Sequence, residues 1–298
     1  MLAVNVALVA GLLAWATRGS GDSASSSTSV APRATSHRFD GPRAFALLRE
    51  QVLDYGYRPA GSPALRKLSD RLRKLLPHGR FEPVTDHPGL RNIVGSVPGR
   101  EPAIVVGAHY DVEAAPVGFV GANDGAAGTA AVVTLARAFA KVRRPAGSRA
   151  VRFVLFDGEE EPAGCTPFLE CGLRGSTSYA ARHAGDVRAF ILLDYIAQKR
   201  GLRFPREAGS NPELWTKMRS AAQAVGVGAL FPAGATFGEI YDDHTPFTAR
   251  GIPAIDLIDF AYAPRDSLAD TLGQVSQRSL DAVGEAVFGF VGRLRQPG

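Results

Sequence analysis

Four short apolar runs in this chain each lead into an acidic residue or a histidine, and that repetition constrains the fold more than any other feature. Ala103–Val106 leads to His109-Tyr110-Asp111, and Val151–Phe156 to Asp157-Gly158-Glu159-Glu160. Ala189–Leu193 leads to Asp194, and Ala254–Ile258 to Asp259 and, further on, Asp266. Ala103-Ile104-Val105-Val106 is continuously apolar, as in a strand buried on both faces. Arg80–Thr85 and Asn92–Val97 add two more strand-like runs. Helical spacing marks Gly41–Tyr55, Ala64–Leu76, Gly125–Val142, Leu173–His183, Pro212–Val225 and Leu280–Leu294. Strands alternating with helices predict a single-domain α/β three-layer sandwich around a mixed, mostly parallel sheet. Such sheets bind ligands just beyond the carboxyl ends of their strands, which is where these polar residues fall.

The polar set has the chemistry of a metal site. Many carboxylates brought to one sheet edge repel one another unless cations neutralise them. His109 is a candidate ligand through a neutral imidazole, with Asp111 placed to accept its other ring N–H. Asp124, in Gly121-Ala122-Asn123-Asp124-Gly125, fits a ligand bridging two ions and equally a helix N-cap. Neighbouring residues of a strand face opposite ways, so Glu160 can hold a metal while Glu159 faces substrate as a base. Asp194 is a ligand or an acceptor behind one. Tyr241-Asp242-Asp243-His244-Thr245-Pro246-Phe247 is a polar loop open to ligand, orienting or proton-relay roles. A solvated acidic turn is the bland alternative for each of these motifs.

The 298 residues, 45% of them hydrophobic, fit one large domain with an ample core. Net charge is +5, but the basic residues form no stripe and carry no interleaved aromatics, so nucleic acid is not an expected partner. Met1–Ala16 is nearly all apolar. As a helix it spans about 24 Å, short of the ~30 Å hydrocarbon core. Ala14-Trp15-Ala16 has the small-x-small form of a cleavage site. Residues 1–16 therefore predict an exported protein, secreted or in the cell envelope; an uncleaved anchor, the only expected membrane contact, is the alternative. Residues 17–38, rich in Ser, Gly and Thr, read as a disordered linker, and residues 39–298 as the catalytic domain. The two cysteines, Cys165 and Cys171, sit just after the glutamate pair. In an oxidising compartment they would close a small disulfide; two free thiols fit the spacing as well.

As an ordered set these motifs resemble the zinc aminopeptidase family that also contains the glutaminyl cyclases, metallopeptidase family twenty-eight. The resemblance rests on His109-Tyr110-Asp111, Gly121-Ala122-Asn123-Asp124, Asp157-Gly158-Glu159-Glu160, Leu193-Asp194, Asp242-Asp243-His244-x-Pro246-Phe247 and Gly251-Ile252-Pro253-Ala254, and covers about residues 39–296. It implies a single α/β domain with a mixed central sheet. It also implies zinc ligation by His109, Asp124, Glu160 and Asp194, with Glu159 as general acid and base. Asp111, Asp243 and His244 are then expected behind the ligands. One slot departs: the register set by Asp270-Thr271 puts Asp266 where the family has a histidine ligand. Zinc accepts carboxylate oxygen, so Asp266 can still ligate, with one or two ions and a preference open to Mn²⁺ or Mg²⁺.

Two reactions follow from the resemblance, both acting on peptide or protein N-termini. An aminopeptidase-like hydrolase is the first expectation, with Glu159 deprotonating water. A glutaminyl-peptide cyclotransferase forming N-terminal pyroglutamate is the second. It is favoured by Phe119-Val120-Gly121-Ala122, by the long loop from Glu161 to Gly175, and by Asp242 at a position of the cyclase proton relay. The absence of a Trp from that loop speaks against it. A catalytically impaired peptide-binding relative is the third. The chain is expected to act as a monomer.

Overall fold

The structure is a computed structural model, and it describes residues 29–143 and 145–297. Six strands form one sheet in the order β1-β2-β4-β3-β5-β6. They are β1 Arg80–Pro83, β2 Arg91–Val97, β3 Arg100–His109, β4 Arg149–Phe156, β5 Val187–Asp194 and β6 Ala254–Ile258. β1, β2 and β4 pair antiparallel, whereas β4-β3-β5-β6 run parallel. The expected α/β sandwich with a mixed, mostly parallel sheet is what the chain forms. All six strands foreseen from the apolar runs are present.

The helices are α1 Gly41–Glu50, α2 Pro63–Leu75, α3 Ala126–Lys141, α4 Phe168–Cys171, α5 Arg174–His183, α6 Pro212–Ala224, α7 Thr245–Thr248 and α8 Gln277–Leu294. Their starts follow from capping chemistry. Ser62 accepts the Leu65 N–H ahead of Pro63, and Asn211 accepts the Leu214 N–H ahead of Pro212. Two short helices, α4 and α7, are too brief to leave a periodic signal in the sequence.

Strand alternation divides the core in two. Ile104, Val106, Ala108, Ile191 and Leu193 face one side, under α1, α2, α3, α6 and α8. Val105, Phe190 and Leu192 face the other, with Phe156, Tyr179 of α5 and Phe247 of α7. Phe190 and Phe247 stack with ring centroids 4.0 Å apart, and Phe156 meets Phe190 edge-on at 5.9 Å. Gly107 makes room for them: a Cβ there would lie 2.8 Å from both the Phe156 and Phe190 rings. His109 and Asp194 continue this second face, one at the end of β3 and the other at the end of β5. Chain order reverses around β3, since β4 follows on one flank and β5 on the other. A crevice therefore opens at the carboxyl end of β3, between its loop and that of β5.

Residues 29–38 depart from the expected linker. Ala31 and Ala34 are buried, Thr35 N–H donates to the Val225 carbonyl at 3.0 Å, and the Ser29 carbonyl accepts from Gly201 N–H at 2.8 Å. Small apolar residues within a Ser/Thr-rich stretch are enough to lay it on the domain. Residues 17–28 and the apolar segment 1–16 lie outside the described residues. Among the described residues no helix is long and apolar enough to cross a membrane.

Candidate metal and catalytic site

The strand ends deliver a buried cluster to that crevice. His109 Nε2 lies 3.1 Å from Asp124 Oδ1 and 3.4 Å from Asp194 Oδ1. His109, Asp124 and Asp194 offer donor atoms all within 4.8 Å of one another, and so do His109, Glu159 and Glu160. All five residues are buried. The turn carrying Asp124 is fixed from behind: Asp270 accepts the backbone N–H of both Asn123 and Asp124 at 3.0 Å, and Tyr262 donates to Asp270 at 2.6 Å. Gly125, at φ 78°, is the cap of α3, and Asp124 does not cap it. A Cβ on Gly125 would lie 2.7 Å from the Asp111 carbonyl and 3.2 Å from the His109 ring. Glycine is needed there both for its left-handed backbone and for that close approach.

Electrostatics in the cluster are those of crowded, buried carboxyls around one imidazole. Burial raises the Glu160 carboxyl well above its ordinary range, and Asp124 and Glu159 raise it further. Burial likewise pushes Asp194 up to about 8, against the opposing pull of His109. Burial opposes charge on His109, but the carboxylates of Asp124 and Asp194 win and hold its proton well above the usual range. Asp124 alone is held low, because the His109 and Tyr195 hydrogen bonds outweigh its burial. His109 Nδ1 is buried without a hydrogen-bond partner. Mixed imidazole and carboxylate donors converging on one buried point fit a divalent ion of the zinc type.

Asp111 acts differently from its expected part. Its carboxylate is 3.9 Å from His109 Nδ1, beyond hydrogen-bond range. It accepts instead the backbone N–H of Glu159 at 3.3 Å and of Glu160 at 3.2 Å. Asp111 therefore shapes the glutamate turn and only indirectly the histidine. Asp157 does similar work, accepting from Arg91 N–H at 2.9 Å and from the Tyr110 hydroxyl at 3.1 Å.

Above the cluster lies a pocket of about 220 Å³, lined by Glu159, Asp194, Asp242, Tyr195, Phe168 and Asp266 among others. Glu159 is pushed well above its ordinary range by burial, with Asp242 and Asp243 adding to the effect and His109 opposing it. Asp242 Oδ2 is buried and free of a hydrogen-bond partner. Asp243 is fully buried and does not reach the pocket wall. His244 turns away: its Nε2 is 3.4 Å from Glu207 and its Nδ1 3.8 Å from Asp256. Asp266 stands half-exposed on the pocket wall, outside the two donor groups that close around His109. Cys165 and Cys171 form a disulfide in the loop carrying Phe168.

Several working residues were not singled out in advance. The Tyr195 hydroxyl lies 2.6 Å from Asp124 Oδ2 and 3.0 Å from Asp266 Oδ1. The Arg58 guanidinium is fully buried and donates to the carbonyls of Gly56, Tyr110, Val120 and Gly121. Glu207 and Asp256 flank His244 beneath the pocket. Only Asp256 left a readable trace, as a charge in the middle of an apolar strand.

Fold and site together define a class, α/β proteins with a buried His–carboxylate site at the switch point of the sheet. Within it the chain belongs to peptidase family M28, whose model matches residues 92–291. The chain is similar to a glutaminyl cyclase from an Acidobacteriales bacterium, at 27% identity and a TM-score of 0.76, covering 91% of this chain and 100% of that one. It is similar in fold to a leucine aminopeptidase precursor from Bacteroides thetaiotaomicron, at 24% identity and a TM-score of 0.72, covering 87% of this chain and 98% of that one. A glutaminyl-peptide cyclotransferase-like protein of Mus musculus is 27% identical over 203 residues, 56% of this chain. The match spans 50% of that curated relative's length.

Proposed function

We propose that this protein cyclises N-terminal glutamine on peptides or proteins to pyroglutamate, releasing ammonia. The observation that carries the reading is a second buried carboxyl in the pocket, Asp242, with an unpartnered oxygen, electrostatically coupled to Glu159. Both reactions move a proton from the attacking group to the departing nitrogen, but cyclisation must also fold the substrate's own amine onto its side-chain amide, and a second carboxyl acceptor facing Glu159 suits that positioning. The likeness at 27% identity to a glutaminyl cyclase supports the same reading. It reverses the order in which the sequence ranked the two reactions.

His109, Asp124, Glu160, Asp194 and Asp266 would hold one or two divalent ions, zinc being the natural candidate. When bound there, such an ion supplies polarisation of the substrate's γ-amide carbonyl. Glu159 accepts a proton from the α-amine as its nitrogen attacks the side-chain amide carbon, Cδ. The new C–N bond closes a five-membered lactam, and the C–N bond to the amide nitrogen breaks. Glu159 returns the proton to that nitrogen, which leaves as ammonia. Asp242 accepts an N–H of the reacting nitrogens and holds them facing Glu159. Phe168, Ile240, Ile258 and Phe260 wall the pocket and keep water from competing.

Incubation of a Gln-initiated peptide with the zinc-loaded protein is the test. Ammonia release with a blocked N-terminus supports cyclisation. Release of free amino acid or of an anilide chromophore would place the protein with the peptidases instead.

A further inference from the structure

The departure at Asp266 raises a physical problem that Tyr195 answers. An aspartate side chain is shorter than a histidine's, and Asp266 is half-exposed, with Arg265 Nη1 3.8 Å from its Oδ2. Left alone, it would turn to solvent or to that guanidinium. The Tyr195 hydroxyl instead spans Asp124 Oδ2 and Asp266 Oδ1, at 2.6 Å and 3.0 Å. One hydroxyl carries one proton, so it cannot donate fully to both carboxylates at once. A cation between the two acceptors would offset the repulsion that this close approach brings.

The backbone supports a built arrangement. Tyr195 and Asp266 are both in the left-handed region, at φ 46° and 54°, a conformation unfavourable to residues with a Cβ. Such strain persists where surrounding structure over-determines it, and here two strained residues meet at one hydrogen bond. The Tyr195 ring is buried with Ile240, Ile258 and Tyr262, and the Tyr195 backbone N–H donates to Asp194 Oδ1 at 2.9 Å. The phenol is therefore clamped at both ends, with its hydroxyl aimed between the two carboxylates.

We propose that Tyr195 is a positioning residue that holds Asp266 against Asp124, so that an aspartate serves the ion-binding slot in place of a longer imidazole. The proposal rests on the reading that the site holds a divalent ion, and it does not depend on which reaction follows. The wild type, Tyr195→Phe, Asp266→Ala and the double variant are stripped with chelator. Each is then titrated with Zn²⁺ by calorimetry and with Co²⁺ by visible absorption. Loss of an outer hydrogen bond to a ligand weakens metal affinity by about 10–100-fold, so a drop of that size and an altered Co²⁺ spectrum are expected for Tyr195→Phe. The double variant should bind no more weakly than Asp266→Ala. In an Asp266→His background, Tyr195→Phe should cost little, because the ring no longer needs the phenol.

Unchanged affinity in Tyr195→Phe overturns the proposal, as do additive losses in the double variant. A lower metal-free melting temperature with unchanged affinity also overturns it, since that is a packing effect. A wild type that takes up no ion overturns it too. Absent cyclisation with this binding pattern intact would refute only the assigned reaction.

Discussion

Metal binding should release protons, and their number should report where the ion sits. In the metal-free site His109 and Glu160 are held well above their ordinary ranges, and the Asp194 carboxyl is pushed up to about 8. Asp124 is already ionised, its carboxyl held below the ordinary value. A divalent ion needs neutral imidazole and ionised carboxylates. An ion held by His109, Asp124 and Asp194 must therefore compete with protons on the raised His109 and Asp194 sites, and one reaching Glu160 with that carboxyl's proton as well. Each competing proton adds roughly tenfold per pH unit to the climb in apparent affinity below its own pKa. Stability follows with a definite sign. Carboxyls raised in the folded state stabilise the metal-free protein at low pH, and that stability is lost as pH rises toward the folded values. His109, also raised, acts in the same direction. The metal-free protein should weaken between about pH 4 and 8, while ion binding strengthens. At 100-fold excess over Kd an ion adds about 2.7 kcal/mol, or roughly 5–10 °C in a domain of this size. Melting curves in chelator and in Zn²⁺ at pH 6, 7 and 8 should show the gap widening with pH. Calorimetry in buffers of different ionisation enthalpy counts the protons. Zero proton release, or a gap that narrows with pH, would refute this account of the site.

Three further outcomes are expected. Glu159→Gln should cut turnover by about 10²–10⁴-fold, the usual worth of a general acid–base group, while metal content by mass spectrometry stays near wild type. Arg58→Leu should lower stability in urea by at least about 3 kcal/mol, because it strands several buried carbonyls that each cost about 1–3 kcal/mol. Replacing Cys165 and Cys171 with serine should cost roughly 2 kcal/mol from loop entropy. Because Phe168 lies in that closed loop on the pocket wall, KM for peptides should rise more than kcat falls.

The mostly parallel core and the convergence of His109, Asp124, Glu159, Glu160 and Asp194 were legible because strand-end chemistry is a local pattern, whereas the strand order is set by long-range pairing that no local run records. The roles of Asp111 and Asp124 were only half legible. Sequence adjacency suggested that Asp111 pairs with His109, but two backbone N–H groups of the glutamate turn hold it instead, and these lie 48 and 49 residues away. The helix cap expected of Asp124 passed to Gly125, since a capping geometry would have drawn the carboxylate away from His109. Arg58 was invisible because its partners are carbonyls, which no side-chain motif records. Tyr195 reads in sequence as an apolar strand's aromatic end, and only the fold places its hydroxyl between Asp124 and Asp266.

Asp266 also bears on which ion the site prefers. Replacing an imidazole with a carboxylate adds a negative charge to a pocket where burial already raises the Glu160 and Asp194 carboxyls above their ordinary ranges. The donor set becomes almost all oxygen, with His109 the one nitrogen. Imidazole favours zinc, whereas carboxylate oxygen suits Mn²⁺ and Mg²⁺. The ratio of Zn²⁺ to Mn²⁺ affinity should therefore be lower in the wild type than in Asp266→His, measured by competition against one chromophoric chelator. The variant also removes Asp266 as an acceptor for Tyr195, so its metal-free form should lose the close contact of two carboxylates with one phenol. Equal ratios in the two proteins would mean that Asp266 stays outside the ion's coordination, and Asp124 and Glu160 would then have to hold that side of the site without it.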